Sequence, residues 1–146
     1  MVVVSLASPL HVGIYEDHRL IHHETSHEQT SEVLPLLFEA LLERYEPKRL
    51  FFARGPGSFM SIKISYIFLK TLSIALGVPL FASDGFTFNE GRPIKAMRNL
   101  YFVKDKEAIH TQTFDTPQMQ EFTLPKVLNE ALFSTENEPL YMLPAV

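Results

Sequence analysis

The run from Leu50 to Ala82 constrains this chain most. It reads Leu50-Phe51-Phe52-Ala53-Arg54, then Gly55-Pro56-Gly57-Ser58-Phe59, then an apolar run from Met60 to Leu76, then Gly77-Val78-Pro79-Leu80-Phe81-Ala82. A short apolar strand, a glycine turn, a long helix, a glycine stop and a second apolar strand form a crossover unit. Its two strands lie parallel and its helix crosses one face of their sheet. Gly77 stands where a helix ends in the left-handed conformation, with Pro79 two residues on.

The helix of that unit is too apolar to serve one sheet. At about 100° per residue, Phe68, Leu69, Leu72, Ala75 and Leu76 share one side. Small Ser61 and Ser65 join them and let the backbone approach the sheet. The opposite side carries Phe59, Met60, Tyr66, Ile67 and Ile74, with Lys63 and Lys70 its charges. Such a helix is buried on both sides or meets a partner. Lysine stems lie along an apolar contact with their charge at its rim. No charge-free stretch reaches transmembrane length, so protein rather than a membrane is expected to cover it.

The segments before this unit alternate at the period of strands. Val2 to Ala7, His11 to Glu16 and Arg19 to Thr25 read as three antiparallel strands, the last two joined by a tight turn at Asp17-His18. In the third, Leu20, His22 and Glu24 are expected on one face and Ile21 and His23 on the other. A helix is expected from Ser31 to Tyr45, with Ser31 as N-cap and Pro35 in the first turn. Leu34, Leu41, Leu42, Phe38 and Tyr45 form one face. Val33, Leu36, Leu37 and Ala40 widen the apolar arc, leaving only Glu32, Glu39 and Glu43 as a polar stripe. The two helices are expected side by side, offering a shared ridge to a second subunit.

Beyond the unit, Ser83 to Arg92 is polar, and a boundary is placed there: residues 1–88 form one domain and 89–146 a shortened second subdomain. Ile94 to Met97 and Leu100 to Val103 read as strands, followed by a polar connection from Lys104 to Gln112. Thr123 caps an expected short helix over Pro125 to Phe133, with Val127, Leu128, Ala131 and Leu132 inward. Leu140 to Leu143 reads as a terminal strand. Three antiparallel strands, a helix, a strand, a helix and a strand is the order of the RNase H-like, actin-like ATPase fold, an α/β class with a mixed sheet.

Composition narrows the function. The 146 residues are 46% hydrophobic and 12% aromatic, enough for a packed core. The net charge of −4 argues against a nucleic-acid binder acting alone. There is no cysteine, which removes disulfides, thiolate zinc sites and cysteine nucleophiles and suits a cytoplasmic protein. The opening Met1-Val2-Val3-Val4-Ser5-Leu6 lacks a basic segment and reads as a buried strand rather than a signal peptide.

Chemical motifs are sparse. Gly55-Pro56-Gly57-Ser58 leads into a helix N-terminus and reads as a structural turn and helix cap, with anion binding as the alternative. It is neither a P-loop nor a nucleophile elbow. The first hairpin, Ser5-Leu6-Ala7-Ser8-Pro9-Leu10, has neither the carboxylate nor the glycine with which actin-like ATPases hold phosphate. Asp84-Gly85 reads as a turn. His22, His23 and His27 with Glu24 and Glu28 look like a metal cluster, but strand geometry sends His22 and His23 to opposite faces, which favours a solvated edge.

Taken with its flanking strand and helix, Gly55-Pro56-Gly57-Ser58-Phe59 resembles the Gly-Pro-Gly-Ser-Phe-Thr-Gly-x-Arg signature of the bacterial TsaB family, formerly called YeaZ. Glu28-Gln29-Thr30-Ser31-Glu32-Val33-Leu34-Pro35 is similar to that family's Glu-His-Thr-x-x-x-Leu-Pro. Glu138-Pro139-Leu140-Tyr141 is similar to its closing strand. The resemblance covers residues 1–88. It departs at Met60, Ser61 and Lys63, at Gln29, and around Ser5-Leu6, where the family has Thr-Gly and Arg, His, and an aspartate.

The resemblance implies a non-catalytic member of the actin-like fold, without cofactor or metal. Such proteins pair with the paralogous enzyme TsaD and the small ATPase TsaE in making threonylcarbamoyladenosine in tRNA, touching tRNA at most indirectly. The expected partner surface is Leu34, Phe38, Leu41 and Tyr45 from the first helix and Phe59, Lys63, Tyr66, Ile67, Lys70 and Ile74 from the second. A homodimer through the same helices is expected when the partner is absent. Two other readings stay open: a weak nucleotide-binding ATPase, and a self-sufficient homodimer with another ligand.

Overall fold

The computed structural model describes residues 1–106 and 108–140. The expected terminal strand lies, beyond Leu140, outside the described residues. Strands β1 (Val2–Val4), β2 (Leu10–Glu16) and β3 (Arg19–Ser26) are followed by α1 (Thr30–Arg44), β4 (Leu50–Ala53), α2 (Phe59–Leu76) and β5 (Leu80–Ser83). They build one mixed sheet in the order β3-β2-β1-β4-β5, with β1 antiparallel to β2 and parallel to β4. A second, antiparallel sheet holds β6 (Ile94–Met97), β7 (Leu100–Asp105) and β8 (Ala108–Thr113) in that order.

The unbroken Val2-Val3-Val4 run explains the layering. A strand apolar on both faces must be covered on both. Val3 faces a core shared with Val12, Leu34, Phe38, Leu50, Phe52 and Leu69, so both helices lie on this side. Val2 and Val4 face the other core, with Phe51, Phe86, Phe102, Phe122 and Leu124. Full burial of each valine stabilises by about 1.5–3 kcal/mol. The segment Ser83 to Arg92, polar in sequence, delivers Phe86 and Phe88 into this second core through a 3₁₀ turn at Gly85–Phe88.

Asp17 and His18 take φ of 51° and 67°, the hairpin turn that suits strand twist. The register then slips: Ile14 opposes His22 but Tyr15 opposes Leu20, leaving Ile21 as the extra residue. This bulge corrects the expected facing. Leu20 packs in the core with Tyr15, while the His22 ring lies 6.1 Å from Tyr45 on the helix side.

Other boundaries move. α1 begins at Thr30 with Gln29 in the cap position, so Ser31 is helical and caps nothing. Thr30 is buried and its hydroxyl shares a 2.8 Å hydrogen bond with Ser5, which draws the helix start inward. Pro35 therefore sits in the second turn, where it removes one helical hydrogen bond. In α2, Ile62, Ser65 and Leu69 are the buried residues, whereas Ala75 and Leu76 are exposed. The expected helix over Pro125 to Phe133 is an extended segment with one 3₁₀ turn at Glu130–Leu132, capped by Asn129. Thr123 instead donates its backbone N–H to Phe88, and of the four residues expected inward Leu128 is buried while Val127 and Leu132 stand exposed. The connection Lys104 to Gln112 contains the end of β7 and most of β8.

Candidate functional site

Ligands of open sheets with parallel strands bind beyond the strands' carboxyl ends. Here β1, β4 and β5 end at Val4, Ala53 and Ser83, and the turns that follow them interlock. Ser58 donates its backbone N–H to the Leu6 carbonyl at 2.7 Å, Gly85 to Gly55 at 2.9 Å and Arg54 to Ser83 at 2.9 Å. A Cβ on Gly57 would stand 2.8 Å from the Leu6 carbonyl oxygen. Leu6, only 2% exposed, occupies the space among the three turns.

The tail seals the crevice from outside. Arg54 Nε donates to the Glu138 carbonyl at 2.6 Å, and Leu140 N–H to the Arg54 carbonyl at 2.8 Å. Gly55 has φ of +117°, outside the range of L side chains, and a Cβ there would meet the Leu140 carbonyl at 2.9 Å. Gly55 and Gly57 are therefore turn residues, as their spacing suggests. Ser58 stands in the cap position of α2, but its side chain makes no capping bond. Its hydroxyl donates to the Ser61 hydroxyl at 3.2 Å. The cap expected of Ser58 is thus a backbone contact with Leu6.

Asp84 is the carboxylate at this edge. One oxygen accepts from the Phe86 N–H at 3.0 Å and the other from Lys104 Nζ at 2.5 Å. Both side chains are largely buried, at 16% and 27% exposure. Lys104 was not anticipated: it lies 20 residues away on the second sheet. With a lysine on one oxygen and an amide on the other, Asp84 is committed to holding the turn.

The second feature is the outer face of α2. Phe59, Ile67 and Ile74 are 45%, 53% and 74% exposed, with Lys63 and Lys70 exposed between them. Met60 on the same helix and Leu36 on α1 are exposed as well. The expected contributions of Leu34, Phe38 and Leu41 fail, because all three are buried against the chain's own sheet. An apolar arc in the sequence does not say which part of it the sheet takes. Tyr45 and Tyr66 are half-buried; Tyr66 stacks on Phe52 at 6.1 Å, and the Arg44 guanidinium lies 5.3 Å above the Tyr45 ring.

The histidine cluster disperses. His22 pairs with Glu24 at 2.9 Å, His27 meets the Ser8 hydroxyl at 3.2 Å, and His23 meets His11 at 3.0 Å. Glu28 turns its backbone N–H to the Ser26 hydroxyl. At the far end of the sheet a concavity of about 610 Å³ lies between the β2–β3 turn and the α1–β4 loop. On its rim Glu130 accepts from Arg49 at 2.7 and 2.8 Å and from His18 at 2.6 Å. Burial pushes the Glu130 carboxyl up, but those hydrogen bonds and charges outweigh it and hold its pKa below the ordinary value.

These features define an α/β protein whose five-stranded mixed sheet has a sealed carboxyl-end crevice and one exposed apolar helix face. Solved structures carry the same fold. YeaZ from Pseudomonas aeruginosa superimposes with a TM-score of 0.56 at 17% identity, covering 77% of this chain and 63% of that one. An uncharacterized protein with similarity to peptidase YeaZ, also from Pseudomonas aeruginosa, gives 0.51 at 18% identity, covering 77% and 62%. The chain thus spans less than two thirds of either structure, and at these identities the likeness is one of fold. No family model and no curated protein matches the sequence.

Proposed function

We propose that this chain is a non-catalytic subunit of the TsaB (YeaZ) type, which holds a TsaD-type enzyme in a competent state for threonylcarbamoyladenosine modification of tRNA. The observation that carries the reading is the outer face of α2, where Ile67 and Ile74 stand more than half exposed. Several large apolar side chains exposed on one helix face, with lysines among them, support a contact surface, and the reading assigns it to protein. The strand order β3-β2-β1-β4-β5 and the fold shared with YeaZ support an RNase H-like, actin-like assignment. The same reading keeps residues 1–88 as one domain and 89–146 as a shortened subdomain, each with one of the two sheets. Leu6 supports the absence of catalysis, because it fills the place where a fold of this type would receive phosphate. A TsaE-type ATPase and a cytoplasmic setting belong to the same reading, with tRNA reached through the partner.

The test is co-expression with the TsaD-type protein of the same organism, followed by sizing and an assay of the modified tRNA. A heterodimer that Ile67→Asp abolishes, with loss of modification, is the expected result. A homodimer indifferent to that enzyme would replace the proposal with a self-sufficient dimer.

A further inference from the structure

The outer edges of β3, β5 and β6 are guarded. At β3 the tail bonds to the chain, Leu20 N–H to the Lys126 carbonyl at 2.9 Å and Leu128 N–H to the His18 carbonyl at 2.7 Å, and the bulge at Ile21 bends the strand. At β5 Ser134 pairs with Ala82. At β6 the Gln120 side chain accepts from the Lys95 N–H at 2.9 Å, and the register shifts between Lys95 and Met97.

The outer edge of β8 has no such guard among the described residues. Ala108 to Thr113 holds no charged residue and no proline, and its pairing with β7 runs from Leu100–Thr113 to Asp105–Ala108 without a shift. An edge that lacks charge, proline, bulge and cover accepts another strand. The Phe114 N–H bonds to the Asn99 carbonyl at 2.9 Å, which carries the same register one residue further. Backbone groups alternate in direction along a strand, so Phe114, Gln112, His110 and Ala108 turn theirs towards β7. Ile109, Thr111 and Thr113 turn theirs away, and among the described residues no hydrogen bond reaches them.

We propose that β8 pairs antiparallel with β8 of a second copy, joining two three-stranded sheets into one. Pairing centred on Thr111 engages all three outward residues at once. Thr111 lies opposite the same residue of the other copy, and Ile109 lies opposite Thr113. Within the strand any other register leaves one of the three unpaired. His110 then faces Gln112, both exposed and polar. No like charges meet, so the strand is its own complement. One short strand pair buries less than about 1,200 Å², the range of transient association. The surface is separate from the helix face and goes beyond the proposed subunit role.

The chain has no cysteine, so a single introduced thiol reports the register. Hydrogen-bonded partners in antiparallel strands have Cα atoms about 5.5 Å apart, within the span of a disulfide. The whole chain carrying Thr111→Cys, oxidised over a range of concentrations, should cross-link to a dimer at least about tenfold faster than Thr113→Cys, whose two thiols lie at opposite ends of the paired strands. A mixture of His110→Cys and Gln112→Cys chains should form the mixed disulfide ahead of either self-linked dimer. All four changes are at exposed side chains and keep the backbone bonds to β7. Equal rates for Thr111→Cys and Thr113→Cys would overturn the pairing. Slow linking in both would also overturn it, and would leave the edge to an extended peptide of another protein.

Discussion

Leu6 and Gly85 touch: a Cβ placed on Gly85 would fall 2.5 Å from Leu6 Cδ1. The leucine of the first turn is thus packed against the backbone that follows the last parallel strand. Truncating it leaves a hole at the meeting point of three turns. Leu6→Ala should cost about 2–5 kcal/mol of unfolding free energy. A denaturant titration reads it, and a cost near zero would mean the turns hold without the wedge.

Gly57 and Ser58 separate backbone from side chain at the same turn. A methyl on Gly57 meets the Leu6 backbone, which cannot rotate away. Gly57→Ala should destabilise by about 1–3 kcal/mol. Ser58→Ala removes a hydroxyl that makes no capping bond and should stay within about 0.5 kcal/mol. Equal costs in thermal or urea unfolding would contradict this division.

The two helix faces answer different questions. Leu34→Ala, fully buried, should lower stability by about 2–5 kcal/mol. Ile74→Asp, at 74% exposure, should leave monomer stability within about 0.5 kcal/mol while abolishing assembly through that helix face. Light scattering beside urea unfolding measures both. Tyr66 is a poor probe of assembly, because its stacking on Phe52 ties it to the core.

Asp84 and Lys104 are unequal partners. Asp84→Ala loses both the lysine bond and the cap on Phe86, while Lys104→Met leaves the cap in place. Lys104→Met should cost about 1.5–3 kcal/mol, and Asp84→Ala more. The reverse order in paired unfolding curves would show that the cap contributes nothing.

Glu130 should give the fold an acid-sensitive component. Its folded pKa lies below its unfolded value of 4.5, so the folded state binds fewer protons. Stability from this group is therefore full above that value and is lost as pH falls through the folded pKa. Urea midpoints measured below pH 4.5 should decline less in Glu130→Gln than in the parent chain. Parallel declines would remove Glu130 from the acid response.

Much of this was legible in the residues. The crossover from Leu50 to Ala82 declares itself through glycine placement and apolar runs, and the Asp17-His18 turn through the alternation around it. β8 was not legible, because in Ala108 to Thr113 Ile109 is the one large apolar side chain and sets up no period. Lys104 and the His11–His23 contact depend on register between distant strands, which no local window contains. The buried faces of Leu34, Phe38 and Leu41 were misassigned for a different reason. Both helices have wide apolar arcs, and only the docking geometry divides each arc between sheet and solvent.

The tail also finishes the sheet. Ser134 exchanges both backbone hydrogen bonds with Ala82, and Asn137 Nδ2 donates to the Leu80 carbonyl. The outer edge of β5 is therefore satisfied by residues made some fifty positions later in synthesis. A nascent chain that has just produced β5 presents an uncovered edge of parallel sheet, the kind of template on which other chains pair. That edge stays open until the segment from Ser134 to Asn137 has been made and has docked on β5.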